Sequence, residues 1–529
     1  MSIFFTSFAH WKIQCVMLGE RIRHLIADNK KTAITMIIGP IVGLIITGFV
    51  VDYVGITPKR LAGLLEHDEV SIVERVLNIT ESGKSKANVL EFNELRAQFK
   101  QPVRLENLDL SNKTLSGVNL NSVSILNSNL SNTNLENSKL NDVHISGDLS
   151  NINLRNSKLL NADLIDANLL GAILINASLP TADLTNAILQ YADLTNALLF
   201  FTDLTNAFLP DANLTDAMLG NADLSKSFIP RADLTHAFLA GADLTNAFLQ
   251  GADLRDANLI NADLTNADLR DANLSGALLN SSRLSNADLT NANLSGAYLP
   301  GAYLSGASLR KADLRGSFIA DADMPGVALS GANLSYATLF GADLPGSALL
   351  YTDLSHAILP LADLSGAVLL RADLSNAFLY GAHLSGTDLT DANLTNANLE
   401  RADLTKSLFH TPSATYGTNL ENSSLFGADL SGADLSNSDL SGADLRYADL
   451  TNAVLRNSTL SGSNLELSDL TGAKLLDTNL AGADMSLANL EGSLLNCASV
   501  KTLGSEANVS RIHIIESFNG SLKEILRCQ

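Results

Sequence analysis

Residues 182–206 read ADLTNAILQYADLTNALLFFTDLTN, and this stretch decides the fold because it repeats every five residues. Each pentad has leucine at its centre and a small residue, usually alanine or serine, two places earlier. A period of five matches neither the 3.6-residue turn of an α-helix nor the two-residue alternation of a strand. It fits a square coil in which each pentad forms one side. We expect the leucine and the small residue to point inward and the other three positions to face water.

The pentads continue far beyond this stretch. Their central residue falls at 105, 110, 115 and 120, with Ile at 125 and 145, and one four-residue step then sets a register that runs from 149 to Phe409. After a looser stretch, leucine resumes at 420 and the repeat continues to Val500, for 79 pentads in all. We expect a local bulge near His144–Asp148 and a protruding loop at about 410–418. Asn and Asp suit the turns between sides, because their short side chains bond local backbone.

Residues 105–500 resemble the pentapeptide-repeat family, whose consensus is A(D/N)LXX, over about three quarters of the chain. The resemblance implies an all-β solenoid, a right-handed quadrilateral β-helix with four pentads per coil. At a strand spacing of about 4.8 Å, the pentads would make about 20 coils and a rod on the order of 95 Å long. The composition, together with the uncharged run within residues 32–54, resembles membrane-anchored members of the family in bacteria, particularly cyanobacteria.

The flanking segments follow other patterns. Residues 32–54 include 19 consecutive uncharged residues, AITMIIGPIVGLIITGFVV, enough to cross a hydrocarbon core of about 30 Å. We expect a single transmembrane helix there, since the alternative, a buried helix, needs a globular domain to cover it. Residues 55–104 have helical apolar patterns and are expected to form a helical linker and N-terminal cap. Residues 501–529 are expected to form a C-terminal cap, because the ends of a solenoid need cover.

Basic residues set the expected orientation of this span. Residues 1–31 are apolar and basic, with five Lys and Arg, whereas only Lys59 and Arg60 follow closely after the span. Basic residues favour the cytoplasmic side of a membrane. We therefore expect the N-terminal segment to be cytoplasmic or interfacial, and the repeat domain to lie on the opposite side, in a periplasm or lumen.

Composition excludes several classes of protein. The 529 residues carry a net charge of −21, and since residues 1–104 carry +3, the rest carries −24. A hydrophobic content of 46% rules out a disordered polyanion. The acidity argues against direct nucleic-acid binding, because phosphates need a basic face. Cys15, Cys497 and Cys528 are too scattered for a disulfide framework; the spacing permits a Cys497–Cys528 bridge, but unpaired thiols are the simpler interpretation.

No motif for chemistry is present in the sequence. The histidines are scattered singly, and His236, His356 and His383 have no second nitrogen or sulfur ligand at zinc spacing. The aspartates lack the glycine-rich turn of a calcium-binding repeat, and there is no phosphate loop, GxSxG or HExxH. We therefore predict no catalytic residues, no cofactor and no metal.

The position before each central leucine differs between the four sides. Residues twenty apart should stack, so the sides that contain Asp183 and Asp193 are acidic, and the side from Ile188 to Phe248 is apolar. The remaining side is a candidate partner-binding ladder, since exposed apolar patches commonly mark interaction surfaces. The alternative is that the ladder only stabilises the sheet through cross-strand pairs. Its members are Leu198, Met218, Phe238, Leu278, Tyr298, Phe318, Ile358 and Phe378.

These features predict a non-enzymatic, membrane-anchored scaffold or protein–protein interaction rod, with protein partners or a second copy on its surface. The resemblance implies an alternative, an acidic DNA-mimicking regulator of a topoisomerase or other DNA-binding protein, because some family members are acidic rods of that kind. The anchor, the expected non-cytoplasmic side and the phenylalanine columns argue against it. A surface binder of carbohydrate or pigment, through Tyr298, Tyr303 and Phe318, has no specific support.

Overall fold

The computed structural model describes residues 89–90, 93–94, 103–410, 417–496 and 499. The chain divides into two compact units, Met1–Glu69 and Val70–Gln529, and every described residue belongs to the second unit. Within these residues, no helix has the length and apolar character needed to cross a bilayer. The segments expected at 1–31, 32–54 and 501–529 lie outside the described residues.

Parallel pairing between residues twenty apart builds the coils. Asp183 pairs with Asp203, which pairs in turn with Asp223, and the same step relates the other sides. Backbone hydrogen bonds hold each pair: the Leu184 N–H donates to the Asp203 carbonyl at 2.7 Å, and the Asp203 N–H donates to the Ala182 carbonyl at 2.9 Å. Twenty residues are four pentads, so each coil has four sides, as the sequence predicts.

A tight turn forms each corner of the coil. At one of them the Ala187 N–H donates to the Leu184 carbonyl at 2.9 Å, and Asn186 has a φ of 58°. A type II turn requires this left-handed conformation at its third residue, which explains why Asn, Asp and Gly are so common there. Bulky residues such as Tyr191 and Phe201 adopt it too, at a cost of about 1 kcal/mol each.

The core runs through the inside of the coils. In the pentad Ala182–Asn186, the alanine and leucine are buried, the Asp and Thr are half-buried, and the Asn is exposed. The inward positions are therefore confirmed. The positions on either side of the leucine are less open than expected, because the neighbouring coils lie about 4.8 Å away and cover them. Where Thr replaces the inward alanine, its hydroxyl is satisfied: Thr202 Oγ1 donates to the Leu179 carbonyl at 2.8 Å.

Extended strands occur near both ends of the described coils. Strands β1 (Val103–Glu106), β2 (Val123–Asn129) and β3 (His144–Asp148) form a parallel sheet in that order. Strands β4 (Lys474–Leu475) and β5 (Leu494–Leu495) form a second parallel pair. The register shifts between β2 and β3, where Ser128 pairs with Gly147 instead of the residue twenty places on. This irregularity confirms the bulge expected near His144–Asp148.

A second fault interrupts the repeat after Phe409. Asn393 pairs with Asn419, a step of 26 residues instead of twenty. The six additional residues equal in number the stretch 411–416, which lies outside the described residues. Phe409 takes a leucine position and is fully buried, and Thr418 Oγ1 donates to its carbonyl at 2.7 Å. The coil thus resumes in the same register on the far side of the insertion.

Two residues that precede the first coil contact it. Val89 is buried with the core. Asn93 Nδ2 donates to the Gly117 carbonyl at 2.9 Å, while its Oδ1 accepts from the Asn119 N–H at 2.6 Å. The second bond satisfies the Asn119 N–H, a backbone donor that has no earlier coil to pair with. The cap over 55–104 stays a prediction, since most of that range lies outside the described residues.

Candidate functional site

Four columns of outward residues run along the coils, one on each side. In chain order, side 1 contains Asp183, side 2 Ile188, side 3 Asp193 and side 4 Leu198, and each column continues in steps of twenty residues. Over the following coils, sides 1 and 3 are mostly Asp and Asn, whereas side 4 is mostly apolar. The coil register therefore separates acidic from apolar surface.

All eight residues of the candidate partner-binding ladder lie in one column on side 4. The side chains of Tyr298, Ile358 and Phe378 are 39%, 43% and 40% exposed, and the other five are half-buried. Tyr298 stacks on Phe318 with the ring centroids 4.9 Å apart, so the ladder packs partly against itself. Asn258 and Thr338 are the polar residues that interrupt it.

The corner that follows side 4 enlarges this apolar surface, and it was missed at the sequence level. Phe201, Phe340 and Leu361 at this corner are 61%, 45% and 52% exposed. Phe200 lies at the same corner, and its ring centroid is 6.3 Å from that of Phe238 on side 4. The corner and the side therefore form one surface. The two residues after each central leucine also recur every twenty residues, so the same step in the sequence indicates the apolar corner.

This surface is almost uncharged. We define the apolar stripe as side 4 from Leu198 to Phe378, together with the corner pairs from 200–201 to 380–381. The stripe has three outward positions on each of ten coils, and Asp321 is the one charged residue among them. In a chain with a net charge of −21, a neutral band across ten coils distinguishes this surface from the rest of the repeats.

The carboxylates of sides 1 and 3 are held by their own backbone. Asp183 Oδ1 accepts the N–H of Thr185 at 2.9 Å, and the same bond recurs along both columns. Asn can replace Asp there because its amide oxygen is an equivalent acceptor. On side 3, Arg315 donates to Asp313 at 2.6 Å, and this hydrogen bond holds the pKa of Asp313 below its ordinary value.

Asp343 on side 1 shows the opposite effect. It pairs along the column with Asp323 and Asp363. Partial loss of hydration, followed by the charge of these two carboxylates, raises the pKa of Asp343. Side 1 therefore stacks like charges, which keeps the rod soluble and does not hold it together.

Side 2 has a shorter apolar column. Phe208 stacks on Phe228 with centroids 5.2 Å apart, and Phe228 meets Phe248 at 5.9 Å in a tilted arrangement. The next residue is Asp268, which Arg270 binds through two nitrogen atoms at 2.8 and 2.5 Å. Because the three rings already pack on one another, cross-strand stabilisation is sufficient to explain this column.

The histidines of the repeats form no centre for chemistry in the part of the chain that the structure describes. No group of three or more His, Cys, Asp or Glu side chains there is arranged to hold a metal ion. His236 lies 3.8 Å from both Asp216 and Asp256, on an exposed corner. Both contacts are long and at the surface, where even a pair of opposite charges contributes little to stability.

The fold and the five-residue register identify the class of protein. The family model of pentapeptide repeats matches more than half of the chain, and the chain belongs to this family. The predicted right-handed quadrilateral β-helix is thereby confirmed. Members of the family are in general non-enzymatic structural or interaction proteins. The matched residues are 103–143, 148–186, 162–199, 192–229, 231–259, 249–286, 282–318, 349–386, 379–410, 416–442, 438–475 and 448–486.

Several solved structures are similar to parts of this chain. HetL, a pentapeptide repeat protein involved in heterocyst differentiation regulation from the cyanobacterium Nostoc sp. strain PCC 7120, is 33% identical over 48% of this chain and 90% of its own, with a TM-score of 0.20. QnrB1, a plasmid-mediated fluoroquinolone resistance protein, is 22% identical over 37% of this chain and 91% of its own, with a TM-score of 0.23. A pentapeptide repeat protein from the Arabidopsis thaliana thylakoid lumen is 26% identical over 30% of this chain and 88% of its own, with a TM-score of 0.13. No match was found among curated proteins.

Proposed function

We propose that this protein is a non-enzymatic interaction rod, anchored in a membrane through residues 32–54, that binds protein through its apolar stripe. The neutral band from Leu198 to Gly381 carries the proposal, because an extended exposed apolar surface commonly marks an interaction site. The partner is a protein or a second copy of the chain. Nucleic acid is not bound directly, since sides 1 and 3 would repel its phosphates.

Charge density separates this proposal from a DNA-mimicking regulator. Duplex DNA carries one negative charge per about 1.7 Å of its axis. The repeats and C-terminal segment carry −24, which over about 95 Å is one charge per about 4 Å. That is less than half of the density of DNA, and the apolar stripe has no counterpart on a duplex. Interaction through the stripe is the better-supported function.

We expect Phe238→Asp combined with Phe318→Asp to abolish partner binding while the fold is kept. Both side chains lie outside the coil, where Asp is the usual residue on the acidic sides, so two carboxylates disrupt the stripe and leave the core intact. The measurement compares proximity labelling in cells with the thermal melting of the purified chain. The matched control is Asn273→Asp with Asn333→Asp, which adds the same charge on side 3.

A large drop in melting midpoint without a change in labelling would show that the ladder is structural and would contradict the proposal. Equal loss of labelling in the control would mean that added charge alone, anywhere on the rod, weakens association.

We expect the full chain to sediment with membranes, to resist carbonate extraction, and to have its repeats shielded from cytoplasmic protease. The reason is the 19-residue uncharged run within 32–54, which matches the thickness of a hydrocarbon core. A variant with Ile45→Lys and Ile46→Lys should become extractable, because charge inside the span is costly. Release of the wild-type chain by carbonate would contradict the anchor. Digestion of the repeats by cytoplasmic protease would show that the repeats lie on the cytoplasmic side, opposite to the proposed orientation.

A further inference from the structure

We propose that the apolar stripe binds a second copy of this chain, as an antiparallel two-fold dimer whose axis passes through Tyr298. The inference rests on the proposed function, in which the stripe is an interaction surface, and it names the occupant. It depends on the order of residues along the stripe, on the shape of its corner and on its axial spacing.

The order of residues on side 4 is symmetric about Tyr298. Going outward in either direction, the column reads apolar, polar, apolar, apolar. In an antiparallel pair with its two-fold axis at Tyr298, Asn258 faces Thr338 of the partner subunit, so each polar residue meets a polar one. The apolar residues then meet each other: Leu278 faces Phe318 of the partner subunit, and Phe238 faces Ile358 of the partner subunit.

The corner residues fit the same axis. The two-fold axis of an antiparallel pair lies in the interface and is perpendicular to the rod. It therefore places the corner after side 4 against the same corner of the second copy. A large side chain then faces a small, exposed residue: Leu361 faces Gly241 of the partner subunit. Asp321, the charged residue of the stripe, faces Ser281 of the partner subunit, whose hydroxyl can donate to a carboxylate.

A parallel pair lacks this match at the corner. Its two-fold axis would run along the rod. The corner after side 4 of one copy would then lie against the corner before side 4 of the other copy. The corner before side 4 is polar and partly charged, with Arg255–Asp256 and Arg315 among its residues. Leu361 would then lie against Ser355 and His356, which loses the benefit of burying it.

Axial spacing favours a second copy over a helical partner. The outward residues of the stripe recur with each coil, at about 4.8 Å, and a second copy presents the same period. An α-helix advances about 5.4 Å per turn, so its side chains fall out of step by about one coil over the nine coils from Met218 to Phe378. A copy of the same stripe keeps its contacts in phase over that whole length.

The size of the stripe predicts a weak dimer. Nine coils extend about 38 Å and the three outward positions span about 10 Å, or roughly 400 Å² of projected surface per copy. This is below the roughly 800 Å² per partner of stable complexes, so the dimer should be reversible and depend on concentration. Both copies are strongly acidic, and added salt should therefore strengthen the association by screening their repulsion.

Disulfide cross-linking of the full chain tests the arrangement. All variants carry Cys15→Ser, Cys497→Ser and Cys528→Ser. A mixture of Asn258→Cys chains with Thr338→Cys chains should form a covalent dimer several-fold more efficiently than either chain alone, and Tyr298→Cys should cross-link with itself. Asp253→Cys on side 3 measures random collision. The yield at Tyr298→Cys should rise with salt and fall to the collision level when Phe238→Asp and Phe318→Asp are added.

Cross-linking of Asn258→Cys with itself and of Thr338→Cys with itself, with no gain on mixing, would show a parallel pair and overturn the proposal. Yields equal to the side 3 control at every position would overturn self-association through the stripe. In that case, a loss of proximity labelling in the Phe238→Asp and Phe318→Asp chain would still support the interaction rod with a different protein. Circular dichroism of each variant confirms that the coils remain folded.

Discussion

Leu254→Asp is expected to unfold the coils around residue 254 and to lower the free energy of unfolding by about 4 kcal/mol or more. Leu254 is fully buried, and its side chain is surrounded by inward leucine and alanine side chains of the same coil and the coils on either side. An ionised carboxylate at that position has no partner to pair with. Hydrogen exchange followed along the chain is the appropriate measurement, because a solenoid can open locally while distant coils stay folded.

The control for this variant is Asn258→Asp, one pentad further along the same coil. Asn258 lies outside the coil, and its Oδ1 accepts the Ile260 N–H at 3.1 Å, a bond that a carboxylate also makes. We expect exchange rates close to those of the wild-type chain. Unchanged protection around residue 254 in Leu254→Asp would contradict the inward position of the central leucine.

The fold could be predicted from the sequence because one short pattern specifies each part of it. Leu184 and Ala182 supply the core, and Asn186 supplies the left-handed residue that each corner needs. The four-residue step before Leu149 likewise indicated where the register shifts. What could not be predicted was how far neighbouring coils cover Asp183 and Thr185, since this depends on the distance between coils and not on the period.

The candidate site was only partly accessible to the same argument. The column from Leu198 to Phe378 follows directly from the twenty-residue step. The corner residues Phe200, Phe201 and Leu361 were not predicted, because turn positions are ordinarily occupied by small or polar residues and apolar surface is not expected there. The hydrogen bond between Arg315 and Asp313 also needed coordinates, because the two residues flank Leu314 and the sequence does not show that the arginine side chain folds back onto the aspartate.

Gly147→Ala is expected to destabilise the first described coils by about 3 kcal/mol or more. Gly147 lies in β3 at the register shift, where the coil has one residue fewer than elsewhere. Its φ is 126°, a conformation open to glycine and costly for any other residue. A Cβ at this position would lie 2.2 Å from the Ser128 carbonyl oxygen and 2.8 Å from the Ser128 nitrogen. Both are backbone atoms of β2, so relief of the clash requires the two strands to separate.

Gly316→Ala is the matched control for this change. Gly316 has a φ of 62° at an ordinary corner, and a Cβ there would meet nothing within 4 Å, so only the left-handed backbone remains as a cost, about 1 kcal/mol. The measurement is hydrogen exchange over residues 103–165 in both variants, since the damage from Gly147→Ala should be confined there and Gly316→Ala should leave that region unchanged. If the two variants lose the same free energy, the close approach of β2 to β3 is not what requires glycine at 147. The difference between them therefore isolates the steric contribution of the register shift from the conformational preference that glycine has at every corner.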